Sequence, residues 1–404
     1  MKIAFLHLTL TTESGDTRMV FSLSRGLIER GHTVRIFTAA FNPERCFPNL
    51  NRGLTINVIA PNAYTRIRVQ AKHQILFGKI LSRLEKNKAD NRVVAQMLSA
   101  LEPDYDAVIC ENDYSYKVGS SYKMRYPHVR AIWIMNNPPF FHYKKSNLFF
   151  DILSRCAAWY ELIVAKRYAR YIDQILVYDK ISERLARVLR RPTTIVRNPV
   201  DVSKFSQRCR SGIHPTQPVI VLGVGALSPS RRFEDIVGAI ALLRHRGYDA
   251  SSVIVAKDFY RNRSYREKFE AVLKNSGVAE AINVKFSGVS DNEYVDLVKK
   301  SHVFVHPSNI TIWSLAAFEA MAAGIPTIVA RGTAVAAVLE DGMQTLLVEP
   351  ERPDQIAEKI EFLIENPERY AQIATSGQQF VYREMSLDHY LAILEQLMTS
   401  SKPN

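Results

Sequence analysis

Apolar positions recur with two periods along this chain, and the two alternate. Ile3 to Leu8, Thr33 to Thr38, Ala107 to Cys110, Ala131 to Met135 and Gln174 to Val177 are short β-branched or apolar runs, each stopped by polar or proline-rich residues. Runs of this kind read as buried parallel strands. Between them the period lengthens to that of a helix. Val20, Leu23, Leu27 and Ile28 predict the buried face of a helix from about Thr17, closed by Gly31, after a polar loop from Thr9 to Asp16 that contains Gly15. A helical pattern also covers Ile152 to Arg170.

The alternation restarts after Pro192 to Val200, where Asn198-Pro199 predicts a turn, and after the polar stretch Gln207 to Gln217. New strands are predicted at Val219–Val224, Ser252–Ala256, Val284–Ser287, Val303–Val305, Thr327–Val329 and Leu346–Val348, with helices between and closing helices at Gln355–Ile364 and Leu387–Met398. Strand–helix alternation repeated twice predicts an α/β chain of two doubly wound sheets. The expected domains are 1–200, 201–385 and a terminal helix in 386–404 that packs back on the first domain. The G-x-G-x-x-G fingerprint is missing from the first strand–helix turn, which disfavours a dinucleotide site.

One stretch carries most of the candidate chemistry. Val303-Phe304-Val305 is a strand, His306-Pro307-Ser308-Asn309 breaks it, and from about Trp313 the pattern is helical, with Leu315, Phe318 and Ala322 on one stripe and Gly324-Ile325-Pro326 as a stop. The N–H groups that open such a helix, near Ser314 and Leu315, make an anion site. Glu319 is a lone carboxylate among small apolar residues. It either meets a hydrogen-bond donor in the interior or faces water on an ordinary α/β helix.

Charge narrows the partners. Lys and Arg number 53 against 40 Asp and Glu, a net charge of +13, so the chain binds something acidic or works near an acidic surface: nucleotide phosphates, anionic lipid or nucleic acid. No nucleic-acid motif accompanies the charge, and a nucleic-acid partner is not expected. Cys46, Cys110, Cys156 and Cys209 are far apart with no C-x-x-C, which argues against zinc and a disulfide framework and for a reducing, cytoplasmic setting. The N-terminal MKIAFLHLTL reads as a strand, since it lacks a cleavage site and runs into polar residues. No apolar run reaches the roughly 18 residues of a membrane span. From 62 to 92, eight Lys and Arg from Arg66 to Arg92 interleave with Ile67, Ile75, Leu76 and Phe77. That is a face for an anionic membrane surface, peripheral at its inner side, or an ordinary helix with a solvated basic side. Phe140 to Tyr143 and Phe149-Phe150 add exposed-looking aromatics beside Lys144 and Lys145. Asp113 and Asn136 follow the ends of predicted strands, where parallel sheets place their chemistry; turn formation accounts for them equally well.

Taken together, the chain resembles the retaining glycosyltransferases of family 4. The residues that carry the resemblance are Ser14-Gly15 before a helix ending Glu29-Arg30-Gly31-His32, Asn198-Pro199-Val200-Asp201, Val224-Gly225-Ala226-Leu227 with Arg231-Arg232, Phe286-Ser287-Gly288-Val289, His306-Pro307-Ser308 through Phe318-Glu319-Ala320-Met321-Ala322-Ala323-Gly324-Ile325-Pro326, and Asp341-Gly342. The resemblance implies a GT-B fold of two facing Rossmann-like domains. It implies a nucleotide-sugar donor held mainly by the second domain, a glycan or lipid-linked acceptor held by the first, no metal and no cofactor. Arg231 then stands where the family has a phosphate-binding lysine, and Glu319 matches the second glutamate of its Glu-x7-Glu motif. Arg231 and Glu319 are the expected catalytic pair. Donor contacts are expected from Gly15, Gly225, Arg232, Val289, Thr311, Trp313, Ser314 and Leu315, and acceptor-side contacts from Asp113 and Asn136. The chain departs from the family at Thr311, Ala226, Ser14, Ala337 and Asn136 or its neighbour, where a glutamate, an arginine, a glycine, a glutamate and a histidine are usual. A degenerate member that binds a nucleotide sugar or glycan without transferring it is the alternative.

Overall fold

The structure, a computed structural model, describes the chain except residues 13, 60–89, 112–113, 137, 142–147, 207–208, 214–216, 259–262, 311–312 and 401–404, and the side chains of 148–150. Asp113, Thr311 and most of the basic 62–92 stretch therefore lie outside the described residues. The chain divides into two compact units, one of Met1–Asn198 with Leu387–Asn404, the other of Pro199–Ser386. Each is a parallel sheet with helices packed on it.

In the first unit the strands are β1 (Lys2–His7), β2 (Thr33–Thr38), β3 (Ile56–Val58), β4 (Ala107–Glu111), β5 (Arg130–Ile134), β6 (Gln174–Val177) and β7 (Thr193–Ile195), in the order β3-β2-β1-β4-β5-β6-β7. The register sets His7 beside Glu111 at the carboxyl ends of β1 and β4. The main helices are α1 (Gly15–Glu29), α2 (Ser115–Arg125) and α3 (Leu148–Ala169). Gly15 is the first residue of α1, capped by Ser14, and not part of the preceding loop as expected: the Ser14 side chain accepts from the Thr17 N–H and starts the helix two residues early. Ile28 is 40% exposed and does not share the buried face of Val20, Leu23 and Leu27, because it lies about 100° round the helix from Leu27. α2 escapes sequence reading because its buried positions are mostly Tyr, Ser and Lys, with Val118 and Gly119 too few to set an apolar period.

The helix Leu387–Thr399 belongs to this unit and lies on α1. Arg30 pairs with Glu395 at 2.7 Å and Asp388 at 2.9 Å, and His32 meets Glu395 at 2.9 Å. Gly26 is what lets the two helices approach, since a Cβ there would lie 2.3 Å from Cδ1 of buried Leu391. Gly26→Ala should destabilise the protein by about 1–3 kcal/mol through overpacking, outweighing the better helix propensity of alanine. A denaturant midpoint at or above wild type would contradict that contact.

The second unit has β8 (Val219–Ala226), β9 (Ala250–Lys257), β10 (Ile282–Val284), β11 (Val303–His306), β12 (Thr327–Ala330) and β13 (Leu346–Val348), in the order β10-β9-β8-β11-β12-β13. β10 ends three residues before the predicted strand does. The backbone turns at Gly288, whose φ is +78° and whose N–H donates to Lys285 O, so Phe286 and Ser287 leave the sheet. Facing helices include α4 (Phe233–His245), α5 (Asp291–Lys300) and α6 (Leu315–Ala322). Helices Pro353–Glu365 and Pro367–Glu384 follow, each opened by a proline whose missing N–H costs the first turn nothing. Val200 bridges Ser386 and its N–H donates to Met385 O at 2.8 Å, so the Asn198-Pro199-Val200-Asp201 segment ties the start of this unit to its end.

Candidate functional site

The chain enters the second sheet at β8, runs outward to β9 and β10, then returns to the other flank of β8 as β11. The strand order thus reverses between β8 and β11, and the loops that leave these two strands border the position where open parallel sheets bind ligands. The loops are joined. Ser308 Oγ and the Asn309 N–H both donate to the Ser230 carbonyl, at 2.9 and 3.1 Å, and Ser228 and Ser230 hydroxyls meet at 3.1 Å. Asn309 Nδ2 donates to Glu351 Oε1 at 2.8 Å, tying the same loop to the end of β13.

Arg231 closes the short turn Pro229–Arg231 after β8. Its side chain lies over the strand end: a Cβ on Gly225 would come within 3.2 Å of its Nε. Gly225 therefore acts as the floor for this guanidinium. His306, buried at the end of β11, is pulled down to a pKa of about 3 by burial and then by Arg231, so the ring is neutral and Arg231 carries the charge of the pair. His306 Nε2 has no hydrogen-bond partner among the described residues. Arg232 is turned elsewhere. It adopts a left-handed backbone (φ 54°) and its guanidinium pairs with Asp235 at 2.7 Å and Glu234 at 3.2 Å in the first turn of α4. That commits it to its own helix. Lys257 ends β9 in register with Ala226, and its stem passes Gly288. No motif pointed to this lysine; only strand pairing brings it to the same sheet edge.

Ser314 precedes α6 and makes no side-chain capping bond, so it leaves the first-turn N–H groups of Leu315 onward unclaimed by that cap. Trp313 packs against Phe318 with ring centroids 4.8 Å apart and planes tilted by 33°. Val289, in the loop before α5, is half-buried against the same apolar cluster. Glu319 is 6% exposed, which excludes the solvent-facing alternative. Its donor is Tyr294 of α5, whose hydroxyl reaches Oε2 at 2.6 Å. Tyr294 was not legible as a site residue, because α5 and α6 meet only in the fold.

The first unit gathers a second polar cluster at its carboxyl edge. His7 Nε2 lies 3.2 Å from Glu111 Oε2 and 3.7 Å from Asp16 Oδ2, and Asn136 Nδ2 donates to Glu111 Oε1 at 2.6 Å. Asn136 thus orients a buried carboxyl group. His7, Asp16 and Glu111 escaped sequence reading because 104 residues separate His7 from its register partner Glu111. Burial pushes the Glu111 carboxyl up to about 8 against the pull of His7. Burial alone would lower His7, but Glu111 and then Asp16 more than offset it and raise its pKa. Asp16 is held well below the usual carboxylate range; burial opposes this, and the bonds to His7 and Ser14 outweigh burial. At neutral pH burial keeps the Glu111 carboxyl protonated, while the Asp16 carboxylate stays ionised beside His7.

Two of these groups bind protons more tightly folded than unfolded, so their stabilisation is present below the unfolded pKa and is lost as pH rises through the folded one. Asp16 acts in the opposite sense and loses its contribution only in acid. Stability should therefore fall as pH rises from about 4.5 to about 8, the interval between the ordinary and the buried pKa of Glu111, by up to about 1.4 kcal/mol per pH unit, with His7 adding to the fall above about pH 6.5. Thermal melts at stepped pH check this, and Glu111→Gln should flatten the slope. A wild-type slope of zero, or one the variant leaves unchanged, would contradict the assignment.

Among the described residues, no group of three or more His, Cys, Asp and Glu could hold a metal ion, and no helix is long and apolar enough to cross a membrane.

Comparison with known proteins places this geometry in a wider group. Residues 207–380 match the family described as Glycosyl transferases group 1. An uncharacterized glycosyltransferase of Methanocaldococcus jannaschii is 22% identical over 391 residues, covering 91% of this chain and 89% of that protein. The MMP alpha-(1->4)-mannosyltransferase of Mycolicibacterium hassiacum is 24% identical over 395 residues, covering 94% and 93%. Among solved structures, HepE of Anabaena in complex with UDP superposes with a TM-score of 0.72 at 15% identity, over 99% of this chain and 100% of that one.

Proposed function

We propose that this chain, which has the GT-B fold and whose residues 207–380 match the family described as Glycosyl transferases group 1, is a glycosyltransferase that moves a sugar from a nucleotide diphosphate donor to an acceptor hydroxyl with retention of configuration. The observation that carries the donor assignment is the pair of joined loops at the strand-order reversal, with Arg231 seated on Gly225 between them. HepE has also been solved with UDP-glucose, which supports a donor of that chemical class.

In this reading the second unit holds the donor. The bond from the anomeric carbon to the phosphate oxygen breaks, and negative charge grows on the diphosphate. Arg231, Lys257 and the opening amides of α6 answer that charge, as fixed donors aimed at developing charge do. Lys257 then supplies the second cation that the alanine at 226 withdraws. Glu319, steadied by Tyr294, accepts from the ribose hydroxyls. The acceptor oxygen forms its bond on the face the phosphate leaves, and a phosphate oxygen takes its proton, so no enzymic base is needed and no metal is required. The acceptor is a glycan, lipid-linked or at the cell surface, oriented by the first unit. Asn136 serves there through Glu111.

A second reading, binding without transfer, draws on Ala226 and Ala337, which stand where the family places charged groups. Donor hydrolysis without acceptor separates the two, since an intact site leaks some hydrolysis. The experiment for the main reading is a thermal-shift screen of UDP-, GDP- and ADP-sugars: one class should raise the melting temperature, because a ligand that binds only the folded state stabilises it. No shift with any of them would overturn the donor assignment.

A further inference from the structure

Helix α3 presents an outward face that the transfer chemistry does not use. Ile152, Trp159, Tyr160 and Ile163 recur at helical spacing along it and are 52%, 66%, 52% and 46% exposed. A surface tryptophan exposed to that degree, in line with three other large side chains, is the usual mark of a surface that meets something apolar. Charge tells what. On the described part of α3 both carboxylates, Asp151 and Glu161, are buried, while Arg155, Lys166 and Arg167 are exposed. Arg170 continues the basic end just beyond the helix and is exposed too. The outward face is therefore apolar and aromatic with basic flanks and no acid.

We propose that this face of α3 is a docking surface for an anionic lipid bilayer. Amphipathic tryptophan and tyrosine settle at the boundary between headgroups and acyl chains, and Arg and Lys at the flanks meet anionic headgroups. A second copy of the chain fits less well. A symmetric contact sets the same patch against itself, and that would bring the basic flanks together with no carboxylate on the face to pair them. The helix lies on the surface rather than spanning it, because Asp151, which accepts from Arg155 at 2.9 Å, and Glu161 are buried on its inner side. The inference goes beyond the transfer reading and does not rest on it, since its readout needs neither donor nor acceptor.

The test is co-sedimentation of the full chain with vesicles of phosphatidylcholine alone and with 30% phosphatidylglycerol. Binding should be at least tenfold tighter with the anionic lipid. Trp159→Ser with Ile163→Ser should weaken it by at least tenfold, and Lys166→Glu with Arg167→Glu should do the same. All four positions are exposed, so the fold should survive, and unchanged melting temperatures would confirm that. Brominated lipid should quench the wild-type fluorescence more than that of Trp159→Phe. Vesicle binding equal in wild type and both double variants would overturn the proposal by placing the lipid contact elsewhere, the basic 62–92 stretch included. So would a dimer in solution that the Trp159 and Ile163 changes dissociate, for the face would then belong to a second copy.

Discussion

Arg231→Ala should remove most sugar transfer, a loss of about 2–4 kcal/mol of barrier, or roughly thirty- to a thousandfold in kcat/KM. The size follows from where the guanidinium sits. It lies over Gly225 at the end of β8, beside a histidine held neutral, so it is the fixed positive charge at the point where the strand order reverses. A departing diphosphate stabilised by fixed cations loses one of them at full cost, because water cannot replace a preorganised donor. The fold should not suffer. The turn that carries Arg231 is held through the Ser230 carbonyl by Ser308 and Asn309, and none of those bonds involves the guanidinium. Arg231→Lys should recover part of the rate, since lysine keeps the charge and loses the planar fork. Steady-state kinetics with circular dichroism as the control decide the matter. Turnover of Arg231→Ala within threefold of wild type would remove the diphosphate role.

Glu319→Ala should act mainly on donor affinity. A carboxylate that accepts from hydroxyls makes charge-assisted bonds of about 1.5–3 kcal/mol each, so donor KM should rise roughly ten- to a hundredfold. The same change strips Tyr294 of its acceptor, and a buried hydroxyl left unpaired costs about 1–3 kcal/mol of stability. Glu319→Gln separates the two effects. The amide oxygen still accepts from Tyr294, so stability should return while donor KM stays raised. Both variants showing wild-type KM would place the ribose elsewhere.

Much of this architecture was legible because its signals are local. β2, β6 and β13 coincide with apolar runs whose ends are marked by polar or turn residues, and the strand–turn–helix from Val303 to Gly324 is written in consecutive residues. The site was legible only where one motif contains it. Arg231 and the start of α6 sit in quoted motifs, whereas Lys257 and Tyr294 reach the same edge through strand register and helix packing. The His7–Asp16–Glu111 cluster shows the limit most clearly. His7 closes an apolar strand, Glu111 ends β4 one residue beyond its apolar run, and their contact needs the β1–β4 pairing. Burial then changes their proton affinity, a property no single residue carries. The Glu29-Arg30-Gly31-His32 segment shows the reverse case. Its residues match a family motif, but its physical task, holding Glu395 and Asp388 of the last helix, is set by the fold. Arg232 stands beside Arg231 in sequence, yet Asp235 and Glu234 claim it.

Calorimetric titration of the full chain with UDP-, GDP- and ADP-sugars in EDTA, wild type against Arg231→Ala, tests the core of this account. It predicts that at least one donor binds wild type without divalent metal and binds the variant at least tenfold more weakly. A donor that requires added metal, or that binds both proteins equally, would contradict it.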